Sequence, residues 1–492
     1  MAGRVAVVGN GIAGLSIAFA LKRLDPAVEV LLYGPDDRAA HNSGSAAAPA
    51  MINVFGEVTE ALYESPNGRH LLEIGMAASE RWPSFLAALG EAQPLRRRNP
   101  TVLHAGTYII PNVSRDGDRR NIAAIRQALL DYEVEFEAID DLSRVPNHRF
   151  SENYGPGLYI PSEKFLDARL LLAEFDHALA AMPGVRVICR HVRRVDPDPP
   201  AVVDDNNERE GVDAIVLANS HGFSELVAPL AISGLPHVIP VFGAALRLPF
   251  ETARPATVRT PIFGSSCGDY AVYFRDHVYV GATSLAAANR VEITAHLQRN
   301  LDFFDPGRSL TGCSLVGGAR AMSQDTYPLI GRLGGNLFAA VGFMRSGITL
   351  APYVADLVAR EALGLSHAYE NRFKPVRSIK DPSPSRGALV SSILEELRGS
   401  LSSMGQRRSA DRYGWLMRLL ISLQVSRIVR ALDDVPYNSD IVQLCYSDPT
   451  YIATLKAAGK SRPVRPPGFL RSTAKSHLAP PGLRLRRSVK LW

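Results

Sequence analysis

The feature that most constrains the fold of this chain is a glycine-rich turn between a short apolar strand and a helix. The turn is Gly9-Asn10-Gly11-Ile12-Ala13-Gly14; residues 4–8 before it and 28–33 after it have strand patterns, and 15–24 a helix pattern. Glycines at this spacing allow a tight turn, close approach of backbone N–H groups to a pyrophosphate, and close packing of helix on strand. We therefore predict an α/β fold with a Rossmann-like domain that binds a dinucleotide. The residues predicted to contact it are Gly9, Gly11, Ile12, Ala13 and Gly14.

One residue expected near such a turn is absent. An acidic side chain that bonds the adenosine ribose should stand at the end of the second strand, near Leu32. Tyr33 and Gly34 follow Leu32, and the next carboxylates are Asp36 and Asp37. No arginine replaces the acid, so a 2′-phosphate is not indicated. The phosphate contacts stay predicted, and recognition of the ribose is left open.

A second glycine-rich segment, residues 317–352, has the features expected of the other half of a flavin site. Arg320 follows two glycines and an alanine. An apolar run over 336–341 predicts a buried strand, and residues 348–363 have the periodicity of a helix. This helix would direct its N-terminus at the turn between them. Its partial positive charge there favours a phosphate or the anionic edge of a reduced flavin.

The order of these motifs resembles the FAD-dependent D-amino-acid oxidase and glycine oxidase family over about residues 4–370. Members of that family carry G-x-R, then D-x-x-P-x-I-G, then G-H-x-R-x-G-I-x-L-A-P. The middle motif begins here at Asp325, and the last is Gly342-Phe343-Met344-Arg345-Ser346-Gly347-Ile348. Phe343 stands where the family usually has histidine. The resemblance implies FAD as the cofactor.

The resemblance also implies which other residues lie beside the FAD. The small-residue loop 43–51 resembles the loop that passes the flavin, and Val192 matches a position whose backbone meets the adenine. Some relatives attach flavin covalently through a histidine near the position of His41, but the register is imprecise and non-covalent FAD is favoured. The further implied contacts are Ser45, Ala46, Ala47, Met51, Val192, Ala218, Asn219, Arg320, Gly342, Arg345, Ser346, Gly347, Ile348 and Thr349.

Two arginines are the candidate catalytic residues. In the family, the arginine that matches Arg320 binds the substrate carboxylate, which a guanidinium holds through two parallel bonds. The alternative is a structural arginine paired with Asp325 or with a carbonyl. Arg345 is placed by the resemblance beside the flavin, where it would act on the flavin or its access loop or instead form a salt bridge. Tyr273 and Tyr279 are expected in the pocket or, more simply, in the core.

The implied reaction is FAD-dependent oxidation of the C–N bond of an amino acid or secondary amine. Hydride transfer to flavin N5 gives an imine that hydrolyses, and the electrons pass to O2 or another acceptor. One alternative is an oxidase of the same fold acting on an aminomethyl-modified nucleoside in RNA. Nucleic acid is disfavoured as a partner because no basic surface with interleaved aromatic residues is visible. A second alternative is a flavin-binding scaffold without activity.

The domain organisation is predicted to be discontinuous. An FAD-binding domain would comprise residues 1–90, 150–230 and 318–375, and a substrate domain with a mainly antiparallel sheet would comprise 91–149 and 231–317. Residues 376–448 form a helical extension and 449–492 a basic, proline-rich, disordered tail. Amphipathic helices are predicted over 387–401 and 415–432, outside the resemblance. They are expected to pack on the body or on each other; the alternatives are a protein partner or oligomer contact, or a membrane-surface role for the second helix.

Composition limits the remaining classes of protein. Ten of the 55 Lys and Arg residues and none of the 49 Asp and Glu residues follow Asp448, so the rest of the chain has an excess of four acidic side chains. The cysteines Cys189, Cys267, Cys313 and Cys445 are scattered and form no C-x-x-C motif, which indicates neither a disulfide framework nor a metal site. The sequence contains no run of eighteen apolar residues, so no transmembrane helix is predicted. A cytoplasmic location is expected.

Overall fold

The computed structural model describes residues 3–39, 41, 43–93, 100–262, 268–281, 284–286, 290–305, 312–378, 384–403, 414–432, 437 and 439–458. The predicted disordered tail begins at residue 449, but Tyr451–Ala458 form a helix, so this part of the prediction is wrong; from position 459 onward the tail lies outside the described residues. The strands are β1 (Arg4–Val8), β2 (Glu29–Tyr33), β3 (Met51–Ile52), β4 (His104–Ile109), β5 (Glu137–Ile139), β6 (Gly157–Phe165), β7 (Val185–Ile188), β8 (Val192–Pro197), β9 (Pro200–Asp204), β10 (Arg209–Gly211), β11 (Ala214–Leu217), β12 (Val238–Pro249), β13 (Ala256–Arg259), β14 (Tyr270–Tyr273), β15 (His277–Gly281), β16 (Ser314–Ser323), β17 (Leu329–Gly334) and β18 (Leu337–Val341).

The helices cover the faces of the sheets and continue beyond them toward the C-terminus. They are α1 (Ile12–Leu24), α2 (Gly44–Ala47), α3 (Glu60–Glu64), α4 (Pro66–Glu91), α5 (Asp116–Asp131), α6 (Ala168–Ala181), α7 (Phe223–Val227), α8 (Arg290–Phe304), α9 (Gly347–Ala362), α10 (Arg386–Ser403), α11 (Gly414–Leu432), α12 (Ser439–Ser447) and α13 (Tyr451–Ala458). Short 3-10 turns span Phe55–Glu57, Leu142–Arg144, Ser220–Gly222 and Ala228–Leu230.

A six-stranded sheet forms the first half of the body. Its strand order is β17-β18-β11-β1-β2-β7, and neighbours are parallel except for β17 and β18. Helices α1, α4, α6 and α9 pack on one face, and α7 with β8 and β9 packs on the other. Covering both faces explains why β1 and β18 are almost wholly apolar. Val8 pairs with Tyr33 and with Leu217, so the carboxyl ends of β1, β2 and β11 meet at one edge.

A larger sheet forms the second half. Its strand order is β16-β12-β15-β14-β13-β4-β6-β3, with β5 added on β6, and β13–β4 is its parallel pair. The predicted α/β fold with a mainly antiparallel second sheet is therefore confirmed. Strand β6 lies in this sheet, although sequence analysis assigned residues 150–230 to the FAD-binding domain. The division into domains stays a prediction, except that β6 belongs to the sheet of the substrate domain rather than to the FAD-binding domain.

The C-terminal helices α10–α13 are joined to the second sheet by one apolar cluster. Ile239 and Val241 of β12 and Met322 of β16 pack against residues such as Leu389 and Ile393 of α10. The Tyr451 hydroxyl of α13 donates to the Pro240 carbonyl oxygen at 2.8 Å. The predicted helical extension is thus confirmed as helices that pack on the body. Within the described part of the chain, no helix is both long enough and apolar enough to cross a bilayer.

Candidate active site

A cavity of about 860 Å³ opens at the carboxyl ends of β1 and β11 and continues to β16 of the second sheet. Its volume falls in the usual range of ligand pockets, roughly 300–1,000 Å³. The N-termini of α1 and α9 both border it, and a Cβ atom at Gly347 would lie 3.9 Å from the Ile12 side chain. Because helix N-termini carry partial positive charge, this part of the cavity favours an anionic group.

The glycine turn requires glycine at both of its ends. Gly9 has a φ of +111°, and a Cβ atom there would lie 2.4 Å from the carbonyl oxygen of Ala218. A Cβ atom at Gly14 would lie 1.7 Å from the carbonyl oxygen of Gly9. The first glycine therefore brings two strand ends together, and the last brings helix α1 onto the turn. Both contacts match the roles that the G-x-G-x-x-G spacing predicted.

The small-residue loop is held between the two sheets. The Ile12 backbone N–H donates to the Ser45 hydroxyl oxygen at 3.1 Å, so the loop lies at the start of α1. On its other side, a Cβ atom at Gly44 would lie 2.8 Å from the carbonyl oxygen of Ala319 in β16. Small side chains are needed here because backbone meets backbone on one side and the cavity lies on the other.

Most residues predicted to contact FAD line this one cavity. They are Gly9, Gly11, Ile12, Ala13, Ser45, Ala47, Met51, Val192, Ala218, Asn219, Arg320, Gly342, Arg345, Gly347 and Ile348. Gly14 and Ala46 are not among the lining residues, and Ser346 and Thr349 line a neighbouring cavity. Segments far apart in sequence, including the glycine turn and the turn before α9, are thereby brought together.

The end of β2, where the ribose acid was expected, is built from other groups. A Cβ atom at Gly34 would lie 2.3 Å from the Asn10 side chain, whose Nδ2 donates to the Pro35 carbonyl oxygen at 2.7 Å. Arg38 donates to the Asn10 carbonyl oxygen and pairs with Asp176. Asp36 and Asp37 are exposed and do not line the cavity. Sequence analysis did not find this arrangement.

His41 lies at this same end of the cavity. Its ring centroid is 5.1 Å from that of His191, which is adjacent to Val192, the residue matched to the adenine position. His41 Nδ1 is 2.8 Å from the Asp37 carbonyl oxygen. The histidine is therefore grouped with the residues matched to the adenine.

Arg320 extends from β16 across β12 into the cavity. A Cβ atom at Gly243 would lie 2.5 Å from Arg320 Nη2, so the guanidinium lies directly over that glycine. Its Nη1 donates to the Ser284 hydroxyl at 3.0 Å. Asp325, the alternative partner suggested by the sequence, is instead held by Arg377 through bonds of 2.8 and 2.7 Å. The interpretation that Arg320 pairs with Asp325 is wrong.

Arg345 is held by a partly buried carboxylate. Its Nε lies 3.0 Å from Glu57, which also accepts from Arg259, a side chain with 0% exposure. Burial opposes ionisation of Glu57, but the two arginines outweigh it and lower the Glu57 pKa. A salt bridge at Arg345 was one of the predicted alternatives, but its partner Glu57 lies 288 positions away and was not predicted.

A second cavity of about 1050 Å³ lies between this region and the C-terminal helices. Both cavities are lined by Glu57, Phe343, Met344 and Arg345, which thus form a common wall. The opposite side of the second cavity includes Leu389 of α10 and Asp440 of α12. Burial raises the pKa of Asp440, although the nearby Arg345 opposes this.

Three tyrosines of the second sheet differ in whether they line the first cavity. Tyr273 and Tyr279 are buried and line neither of the two cavities, as expected if they serve in the core. Tyr270, which pairs with Gly281 in the same hairpin, lines the first cavity together with Arg320. Its hydroxyl lies beside Gly281, where a Cβ atom would be 2.6 Å from it. The strand pattern alone gave no signal to select Tyr270 over the other two.

Glu163 of β6 is a buried acid beside this network. It is 2% exposed, and its Oε1 accepts from the Gly56 backbone N–H at 2.8 Å. Its Oε2 has no hydrogen-bond partner in the part of the chain that the structure describes. Burial raises the Glu163 pKa to about 7 from an ordinary value of 4.5. The side chain is buried because the alternation of β6 turns it inward.

Replacing Glu163 by glutamine should stabilise the protein in a pH-dependent way. Between pH 4.5 and about 7 the folded protein keeps a proton that the unfolded chain has released, so its stability falls as pH rises through this window. Glu163→Gln removes that loss, and we expect a gain of up to about 3 kcal/mol at pH 8 and much less at pH 5. Urea unfolding at both pH values measures it. Glu91→Gln, at an exposed position, is the matched control; equal gains at both pH values would contradict the prediction.

With this geometry in place, comparison with known proteins identifies the family. A family model described as FAD dependent oxidoreductase matches residues 4–361. The chain belongs to the FAD-dependent oxidoreductase family. The resemblance inferred from the sequence motifs is confirmed, and residues 376–458 lie outside the matched segment.

Individual relatives of this FAD-dependent oxidoreductase are distant in sequence. A D-amino acid dehydrogenase from Neisseria meningitidis serogroup C is 27% identical over 220 residues, which cover 43% of this chain and 52% of the relative. The bifunctional protein ThiO/ThiG from Synechocystis is 25% identical over 403 residues, which cover 77% of this chain and 55% of the relative. The matched segments thus cover about half the length of these relatives.

Solved structures show the same fold in the body of this FAD-dependent oxidoreductase. A glycine oxidase from Geobacillus kaustophilus superposes with a TM-score of 0.64 at 21% identity, covering 77% of this chain and 100% of its own. An iminodiacetate oxidase from Chelativorans superposes with a TM-score of 0.61 at 20% identity, covering 76% of this chain and 99% of its own. At this level of identity the likeness concerns the fold.

Proposed function

We propose that this protein oxidises the C–N bond of an amino acid or a secondary amine, with FAD as a non-covalent cofactor. The observation that carries the proposal is one cavity that runs from the glycine turn at Gly9 to the guanidinium of Arg320. One end suits a dinucleotide and the other a carboxylate. Relatives named D-amino acid dehydrogenase and glycine oxidase act on substrates of this class, which supports the choice.

The residues of the cavity fit FAD. The Gly9 and Gly14 contacts leave the start of α1 open to a pyrophosphate, and the start of α9 gives a second positive helix end. The Gly44–Ala47 helix and Gly318 offer backbone rather than bulky side chains to a flat ring system. His41 groups with the residues matched to the adenine, which favours non-covalent attachment over a bond from this histidine to the flavin ring.

The chain's own residues would bind and orient the substrate. Arg320 would hold its carboxylate in two parallel hydrogen bonds, which fixes the carbon that reacts. Ser284, at 3.0 Å from Arg320, and the glycine beneath the guanidinium limit the positions that the arginine can adopt. Bound FAD supplies the acceptor for a hydride from the carbon that bears nitrogen. Arg345 and the N-terminus of α9 would stabilise negative charge at that place.

The proposal is tested by adding substrates to the purified protein without oxygen. The panel contains amino acids of both hands, N-methyl amino acids, the matching decarboxylated amines, and 2-hydroxy acids as controls. We expect loss of the flavin absorbance at about 450 nm with one nitrogen-bearing class and not with the hydroxy acids. A yellow protein that no compound bleaches, or one bleached only by hydroxy acids, would overturn the assignment.

A further inference from the structure

Helix α11 has two apolar faces, and the residues that the structure describes cover only one of them. Its large buried side chains are Ile421, Val425, Ile428 and Leu432, which pack in the cluster that joins the extension to the second sheet. A second set of large apolar side chains is between 37 and 71% exposed. This set consists of Trp415, Leu416, Leu419, Leu420 and Leu423, and we call it the exposed stripe.

The exposed stripe is a continuous surface rather than scattered leucines. At about 100° per residue its members span an arc of about 140° centred opposite the buried face. Over the eight-residue rise from Trp415 to Leu423 it is about 12 Å long. A solvent-exposed helix usually carries polar residues on the side away from the core, so this face is built to be covered.

Basic side chains continue the same face. Arg427 and Arg430 follow the stripe by one and two turns and project within the same arc, and both are exposed. Arg418 is on another side of α11 and donates to the Ser391 hydroxyl of α10. The helix thus presents an apolar half with an indole and leucines, followed by a cationic half.

The sequence after α13 adds to this charge. From residue 459 to the C-terminus there are nine Lys or Arg residues and no Asp or Glu. An apolar helix face flanked by cations is complementary to a bilayer surface that carries anionic headgroups, because the leucines enter the acyl boundary while the cations stay at the headgroups. A second copy of this chain would bring the same positive charges together, so the charge pattern favours a lipid surface over a dimer.

We propose that the exposed stripe of α11 docks this protein onto the surface of an anionic membrane, lying in the interface without crossing it. The proposal is independent of the reaction assigned above. It also gives the extension a role that the family-matched segment does not have.

The test uses the full chain with vesicles of phosphatidylcholine alone and of phosphatidylcholine with phosphatidylglycerol. We expect binding to the anionic vesicles. The tryptophan readout uses a Trp492→Phe background, which leaves Trp82 and Trp415. A blue shift of emission is expected in that background and should be absent when Trp415→Phe is added, since Trp82 is already buried. The variant L419Q/L423Q should bind at least tenfold more weakly. The matched control L130Q/L365Q changes exposed leucines of the body, at 55 and 42%, and should bind like the parent.

Four outcomes would overturn the proposal. Absence of binding to anionic vesicles removes its basis, and binding unchanged in L419Q/L423Q assigns the membrane contact to the basic tail alone. Trp415 emission that is already blue-shifted in the free protein means that another part of the chain covers the stripe. A dimer that L419Q/L423Q dissociates, without vesicle binding by the parent, assigns the stripe to a second copy.

Discussion

Gly14→Ala should give a protein that purifies without flavin and binds added FAD at least about 100-fold more weakly. The new Cβ atom would lie 1.7 Å from the Gly9 carbonyl oxygen, so helix α1 must move away from the turn that it completes. Overpacking of this kind costs roughly 1–3 kcal/mol or more, and here it falls on the backbone N–H groups that face the pyrophosphate. The ratio of flavin to protein absorbance, followed by titration with FAD, measures the effect.

The control for this substitution is another helical glycine. Gly90 of α4 has no neighbour within 4 Å of an added Cβ atom, so Gly90→Ala should keep its flavin and gain up to about 1 kcal/mol of helix stability. If Gly14→Ala retained one flavin per chain, the glycine turn would not be the cofactor site. Equal flavin loss in both variants would point to a general effect on folding.

Arg320→Met should lower kcat/KM for carboxylated substrates by roughly 100- to 1000-fold while the flavin stays bound. The loss follows from removing two charge-assisted hydrogen bonds to the carboxylate in the half of the cavity away from the glycine turn. Arg320→Lys should recover only part of the activity, because an ammonium group cannot make the paired contact. Steady-state kinetics on an amino acid and on its decarboxylated amine separate carboxylate binding from a general loss.

The control for Arg320→Met is removal of an arginine elsewhere on the protein. Arg372, an exposed arginine paired with Glu370 at 2.8 Å, gives a matched charge removal as Arg372→Met and should leave kcat/KM unchanged. If Arg320→Met slowed the amine and the amino acid equally, the guanidinium would serve the pocket rather than the carboxylate. The proposed substrate class would then lose its main support.

The parts of the site that sequence analysis found are those built from local order. Strand β1, the glycine turn and α1 are consecutive, so spacing alone specifies them, and the strand and helix around residue 342 follow the same logic. Glu57 and Glu163 were missed because their partners are remote: Arg345 is 288 positions from Glu57, and Gly56 is 107 from Glu163. An acidic residue with polar neighbours in the sequence is expected to be solvent-exposed, and only the fold shows that it is buried or paired.

Arg320 was identified from its local motif, but its contacts could not be predicted from the sequence. Asp325 is close to it in sequence and looked like a partner, whereas Asp325 is bound by Arg377, which lies 52 positions further along the chain. Tyr270 and Tyr273 are three positions apart in β14 and therefore point to opposite faces of the sheet, but the sequence did not show which face borders the cavity.

The position of the C-terminal helices has a consequence for choosing substrates. Arg320 and Met322 are two positions apart in β16, so their side chains lie on the same face, and Met322 is covered by the extension. Leu389 and Asp440 line the outer side of the second cavity and lie outside the segment shared with the family. The common wall separates them from Arg320, which lines the first cavity. A comparison with relatives over residues 4–361 alone would leave out Leu389 and Asp440, so variants that test substrate selectivity should include the extension.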